Sequence, residues 1–224
     1  MNIAIDGPSG AGKSSLAKGL AKHYGMIYVD TGALYRTVGL YACRQNIPLD
    51  DISQIVGHLD TLVVGLRHEG GEQHVYLFDE DVSSLIRTPE ISMYASAVSA
   101  LPPVRAFLLD TQRRMAREHS VVMDGRDIGT VILPDAEVKI FLSANDGERA
   151  KRRLEELQAK GVKTTLEEVL SDMRTRDRND KEREAAPAIA APDAIPLDNT
   201  GCSIEETLNK AIAIVEKRMK ELGK

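Results

Sequence analysis

Residues 7–14 read GPSGAGKS and fit G-x-x-x-x-G-K-[ST] with nothing left over. Each residue type has a task in holding a polyphosphate. Gly7, Gly10 and Gly12 let the backbone curl with its N–H groups pointing inward, and Pro8, Ser9 and Ala11 complete the loop. Lys13 reaches the β- and γ-phosphates, the Ser14 hydroxyl holds Mg²⁺, and Ser15 follows on the opening helix. This is a phosphate-donor site, and the remaining question is what receives the phosphate.

Three further groups could do that chemistry. In DTGALYR, residues 30–36, Asp30 ends a strand, Thr31 is placed to cap the next helix, and Arg36 emerges one turn in. In MDGRDIGT, residues 123–130, an apolar strand ends in Asp124, Arg126 and Asp127; two carboxylates and an arginine are costly to leave idle in a crevice. Asp124 resembles a strand-end carboxylate that acts on Mg²⁺ through water. In RDRNDKER, Arg176, Asp180 and Arg183 fall at i, i+4 and i+7, one helical face. Ser96 and Arg105 bracket a Pro-Pro turn. No Ser/His/Asp or Cys/His set is evident, and the histidines are scattered. A hydroxyl acceptor commonly needs a carboxylate base. A phosphate acceptor does not, because a phosphate monoester with a second pKa of about 6 is already mostly dianionic near pH 7. It needs cations that hold two like-charged phosphates together. Arg36, Arg126, Arg176 and Arg183 form such a set and point to a nucleoside monophosphate.

The elements that must position these groups follow from periodicity. Apolar runs NIAI, MIYVD, SVVMD, VKIFLSA and AIPLD alternate with helical patterns, the signature of a parallel sheet wrapped by helices on both faces. Ligands gather at the carboxyl ends of such strands, where all the motifs lie. The first helix carries Leu16, Ala17, Leu20 and Ala21 and stops at Gly25. Residues 60–80 read as a hairpin around Gly70-Gly71, a small antiparallel insertion. Asn145 with Glu148, Thr165 with Glu168 and Ser203 with Glu206 have capping-box spacing, and Gly161 closes the first of these helices. The arginine-rich pair of helices over 145–186 suits a lid that expels water and neutralises transition-state charge. In the last helix Leu208, Ile212, Val215, Met219 and Leu222 make an apolar line expected to be core. The expected fold is α/β: a P-loop kinase core over 1–59, 96–144 and 187–224, an insertion at 60–95 and a helical lid at 145–186.

Bulk properties exclude several classes. The net charge is −5 without a basic tail, so a nucleic-acid footprint is absent. Aromatics are 4 % with no Trp, which disfavours a base-stacking single-strand binder. No apolar run approaches a membrane span, and from Met-Asn-Ile-Ala-Ile no secretion signal is expected. Cys43 and Cys202 form no CxxC and suit a reducing cytoplasm.

GPSGAGKSS, DTGALYR, DGRDIGTVILPDA, ERAKRR and RDRNDKERE, in this order and spacing, resemble the bacterial cytidylate kinases over nearly the whole chain. GRDIGTV and the RDxxDxxR form at 176–183 discriminate; the P-loop alone does not. The resemblance implies an ATP:CMP phosphotransferase that also takes dCMP, with Mg²⁺, cytoplasmic and monomeric. It implies that Arg36, Arg126 and Arg183 hold the acceptor phosphate and that Arg176 bridges to the transferred group. Asp180 would bind the sugar hydroxyls, Ser96, Arg105 and Asp127 would read the cytosine, and Thr31 would contact the nucleotide. Arg149, Arg152 and Arg153 would lie near the ATP. The acceptor pocket would be formed by the insertion with DTGALYR and GRD. Alanine stands at 188, where the family usually has leucine in a Pro-Leu pair, and some softening of packing is expected there. Two rivals remain: another P-loop kinase, for UMP, a nucleoside or shikimate, and a nucleotide-dependent switch. A guanine-reading NKxD is missing.

Overall fold

The structure is a computed structural model that describes residues 1–70, 72–159 and 161–223. In chain order the elements are β1 (Asn2–Asp6), α1 (Lys13–Tyr24), β2 (Ile27–Asp30), α2 (Thr31–Arg44), a 3-10 stretch (Leu49–His58), β3 (Val64–Glu69), β4 (Glu72–Leu77), β5 (Glu80–Asp81), α3 (Pro89–Ser99), α4 (Pro102–Glu118), β6 (Val121–Asp124), a π-helical turn (Ile128–Ile132), β7 (Val138–Ser143), α5 (Asp146–Ala159), α6 (Leu166–Glu182), β8 (Ile195–Asp198) and α7 (Ile204–Glu221). They fall into two compact units: residues 1–27 with 120–224, and residues 28–119.

In the first unit β6, β1, β7 and β8 lie side by side in that order, all parallel, with Ile5 opposite Asp124 and Ile140. Ile3, Ala4, Ile5, Val121, Val122, Met123, Val138, Ile140 and Leu142 are buried. That is why these strands read as continuous apolar runs: a parallel sheet covered on both faces has no solvent-facing alternation. β1 and β6 therefore deliver their last residues, Asp6 and Asp124, to the same sheet end. Helices α5 and α6 enclose a small core of their own, Ala150, Val169 and Met173 with Leu154, Leu157, Leu166 and Leu170 around it. Thr165 and Ser203 form full capping boxes with Glu168 and Glu206.

Two expectations are corrected here. Asn145 does accept the Glu148 N–H at 2.8 Å, but the reciprocal half is absent. The Glu148 carboxylate accepts from the Gly201 N–H instead, and the Asn145 N–H donates to Thr200 Oγ1. A tertiary partner has displaced the local one. Along α7, Val215 is buried, Leu208, Ile212 and Met219 are half-buried, and Leu222 is 40 % exposed at the fraying end.

In the second unit β3, β4 and β5 make an antiparallel sheet with Leu66 opposite Val75 and Glu69 opposite Glu72. The expected hairpin is present, with Gly70 at φ +61°; Gly71 lies outside the described residues. Helices α2, α3 and α4 share one core with this sheet, including Leu34, Val38, Ile55, Val75, Ile86, Val98 and Leu108. The expected Pro-Pro turn is instead a helix start: Pro102 and Pro103 are the first two residues of α4, where a missing N–H costs nothing.

Candidate active site

The phosphate loop joins β1 to α1 in the first unit. A Cβ on Gly7, at φ +148°, would lie 2.0 Å from the Leu142 carbonyl oxygen, so no other residue fits where the chain leaves the sheet. Gly12 caps α1 in a left-handed conformation that turns the backbone into the helix. Lys13 is buried, and its ammonium donates to the Pro8 carbonyl at 2.8 Å. Burial and the Arg126 charge push its pKa down to about 7; Arg176 adds to that, while Asp124 and Asp6 oppose it. Ser14 Oγ donates to Asp124 Oδ2 at 2.9 Å. A hydroxyl beside a buried carboxylate is a small, hard oxygen set. It fits a Mg²⁺ ion that keeps most of its shell for water and phosphate. Among the described residues, no group of three or more His, Cys, Asp or Glu could hold a metal by itself.

The turn after β6 carries the second set. Arg126 Nε donates to Asp180 Oδ2 at 2.9 Å, and both are largely shielded. Burial alone would raise the Asp180 pKa, but the Arg126, Arg176 and Arg183 charges hold it below the usual value. Arg183 lies 3.5 Å from Asp127 and 3.9 Å from Asp180. Sequence spacing put Arg183 on the helix; it is the residue that leaves α6 in an extended conformation, and its Nε donates to the Ala186 carbonyl at 2.7 Å. The Ala188 N–H donates to the Asp180 carbonyl, a backbone bond that the side chain at 188 does not affect. The structure thus brings together Lys13, Asp124, Arg126, Asp127, Arg176, Asp180 and Arg183 around one sheet end.

Two residues that motif reading passed over, Asp177 and Asn199, hold the loop from outside, and a third, Asp6, holds the turn after β6. Asp177 accepts the Ser9 N–H at 2.9 Å and also takes Arg149 Nη1, which donates onward to the Ser9 carbonyl at 2.7 Å. Arg149 also pairs with Asp146 at 2.6 Å. Asn199 Nδ2 donates to the Ala11 carbonyl at 3.0 Å, and its Oδ1 accepts from Arg152. Asp6 accepts from the Ile128 and Gly129 N–H groups. Arg153 pairs with Glu156. So Arg149 and Arg152 brace the loop backbone, while Arg153 turns to Glu156 instead.

The second unit carries the other residues that the sequence singled out. Thr31 is not the helix cap. Asp30 is, accepting the Ala33 N–H at 3.1 Å, and Thr31 is the buried first residue of α2. Asp30 Oδ2 also takes Arg87 Nη2 at 2.9 Å, and Gln73 of β4 bonds both the N–H and the carbonyl of Asp30. A Cβ on Gly32 would lie 3.1 Å from both Arg36 Nη1 and Asp30 Oδ1, so Arg36 folds back over the start of its own helix. Arg105 donates to the Ser99 carbonyl at 3.1 Å and covers the Tyr35 ring; Ser99 in turn donates to the Ser96 carbonyl. No helix among the described residues is long and apolar enough to cross a membrane.

The family model described as cytidylate kinase matches residues 3–217. A cytidylate kinase of Caldicellulosiruptor saccharolyticus is 48 % identical over 217 residues, 97 % of this chain and 96 % of its own length. One of Lactobacillus johnsonii is 47 % identical over 220 residues, covering 98 % and 96 %. Among solved structures, an uncharacterized protein from Eubacterium ventriosum shares the fold, with a TM-score of 0.54 at 14 % identity over 96 % of this chain and 98 % of that one.

Proposed function

The chain belongs to the cytidylate kinase family, and from that premise we propose that it transfers the γ-phosphoryl group of ATP to CMP, and to dCMP, giving ADP and the diphosphate. The observation that carries the reading is the charge gathered at one sheet end: buried Lys13 feels the charges of half-buried Arg126 and Arg176, and Ser14 Oγ beside it donates to Asp124. The mutual repulsion of these cations is relieved when phosphates lie between them. Two phosphates of like charge can then approach in line, and the cations stabilise charge that spreads over the transferred group.

ATP would lie with its phosphates in residues 7–15, Lys13 at the β/γ-oxygens. Arg36, Arg126 and Arg183 would hold the CMP phosphate, and Arg176 would bridge to the moving group. Asp180, which also orients Arg126, would take the sugar hydroxyls. Thr31 would contact the nucleotide. Ser14 and Asp124 would hold Mg²⁺, which supplies charge neutralisation and geometry at the β- and γ-phosphates. No side chain needs to act as base, because the acceptor oxygen is already ionised. Asp127, Arg105 and Ser96 would read the base: cytosine offers an amino donor at N4 and acceptors at N3 and O2, while uracil reverses positions 4 and 3. The protein would work as a cytoplasmic monomer.

The test is a coupled ADP-release assay with CMP, dCMP, UMP and AMP on the wild type, Asp127→Ala and Arg126→Ala. The expected pattern is a CMP preference that narrows in Asp127→Ala, and a loss for all acceptors alike in Arg126→Ala. ADP release indifferent to acceptor would mark a slow hydrolase and end the kinase reading.

A further inference from the structure

Asp6 is the last residue of β1 and stands directly before the phosphate loop. It is 4 % exposed, and neither of its oxygens faces solvent chemistry. Oδ1 accepts the Ile128 N–H and Oδ2 the Gly129 N–H, both at 2.8 Å, across more than 120 positions of sequence. Those amides begin the π-helical turn that follows Arg126 and Asp127, and a turn of this kind leaves its first N–H groups without helical partners. The turn is closely packed at Gly129: a Cβ there would crowd Lys139 Cδ at 3.1 Å and meet Ala191 Cβ and Asp6 Oδ2 in ordinary contact at 3.4 Å. Burial pushes the Asp6 pKa up to about 6, Asp127 adds to this, and the two N–H bonds and Lys13 oppose it, so above pH 7 the group stands as a carboxylate with two acceptor oxygens.

We infer that Asp6 is a positioning residue for the transfer, a two-pronged carboxylate that sets the Arg126–Asp127 turn in register with the phosphate loop. Its two oxygens are taken by these amides, so it would act through them and not on a nucleotide directly. Through the Ile128 and Gly129 amides it fixes where Asp127 presents its acceptor oxygens and where Arg126 leaves the chain, while its own backbone leads into Gly7. One residue thereby ties the donor loop to the acceptor-reading turn. The inference rests on the kinase reading above and adds a residue to it.

The experiment uses the full chain at pH 7.5 with Asp6→Asn and, as a second variant, Gly129→Ala. Asparagine keeps the shape but aims an amino group at one of the two N–H donors. The expected result for Asp6→Asn is a roughly tenfold fall in kcat/KM for CMP, a narrowed CMP-to-UMP ratio, and ATP affinity by equilibrium binding within about threefold of wild type. Gly129→Ala crowds Lys139 Cδ beside the same amide, which displaces the turn while leaving the Asp6 carboxylate in place, and shows the same split in weaker form. If Asp6→Asn does not fold, Gly129→Ala decides alone. A merely structural role would lower the active fraction with the ratio unchanged. An unchanged CMP-to-UMP ratio in the folded variant, or an ATP affinity that falls as far as CMP turnover, overturns the inference. Failure of the kinase reading shows separately, as a wild type that does not prefer CMP.

Discussion

Nucleotide binding at the phosphate loop is expected to draw a proton onto the enzyme. Lys13 is 7 % exposed, and burial with the Arg126 charge lowers its pKa to about 7. A lysine with that value is about half protonated at pH 7 and about 3 % protonated at pH 8.5. A triphosphate against the ammonium restores the charged form, so the bound state holds more protons than the free state. Affinity must therefore fall as pH rises through the free pKa. Taking the bound pKa well above 8.5, ATP affinity scales as 1/(1 + 10^(pH−7)) and weakens by about 16-fold between pH 7 and pH 8.5. Uptake is about half a proton per ATP at pH 7 and close to one at pH 8.5. Isothermal titration calorimetry in buffers of different ionisation enthalpy measures this directly. Above pH 8 the phosphates are fully ionised, so the uptake belongs to the protein. Lys13→Met removes the uptake. A zero slope of enthalpy against buffer ionisation at pH 8.5, or flat affinity from pH 7 to 8.5, would refute the claim that Lys13 is buried among cations awaiting an anion.

Asn199→Ala removes the Nδ2 donor to the Ala11 carbonyl and the Oδ1 anchor of Arg152; a cost of about 1–3 kcal/mol in thermal unfolding and a raised KM for ATP with an unaltered KM for CMP are expected. Gln73→Ala leaves the Asp30 N–H and carbonyl without their β4 partner, and it should lower stability by a similar ~1–3 kcal/mol and raise the KM for CMP, measured in the same assay. Amide exchange over α5 and α6 should slow when ATP and CMP analogues bind together, since bound phosphates add partners to arginines that in the free protein pair with Asp146, Glu148, Glu156 and Asp177; equal exchange in the free and doubly bound protein would remove the lid from the account.

The parallel strands of the first unit were legible because burial on both faces leaves an uninterrupted apolar run. The phosphate loop was legible because its glycines, Lys13 and Ser14 stand in one contiguous pattern, although what Gly7 avoids, the Leu142 carbonyl, is distant in sequence. β5 was not: Glu80–Asp81 carries no apolar pattern and exists through pairing with Tyr76 and Leu77. The π-helical turn at Ile128–Ile132 has a β-branched, apolar sequence, and its shape depends on the Asp6 carboxylate far away in the chain. Thr31 and Asp30 were both acceptable caps by type; Asp30 takes the position, its other oxygen held by Arg87. In the site, the residues that motif spacing named in the first unit do converge. Asp6, Asp177, Asn199 and Gln73 were passed over because their partners, Gly129, Ser9, Ala11 and Asp30, are distant in sequence and no periodicity records them.

The most direct measurement of the central claim is an internal competition: ATP, Mg²⁺, and equimolar CMP and UMP in one reaction, with CDP and UDP quantified at early times. The product ratio is the ratio of kcat/KM values, independent of enzyme concentration. A site that pairs the hydrogen-bonding edge of cytosine and leaves charged groups mismatched against uracil can discriminate by up to ~10⁴. The account predicts that CDP dominates, with ADP formed one for one with diphosphate. Equal CDP and UDP, or ADP released without either, would contradict it.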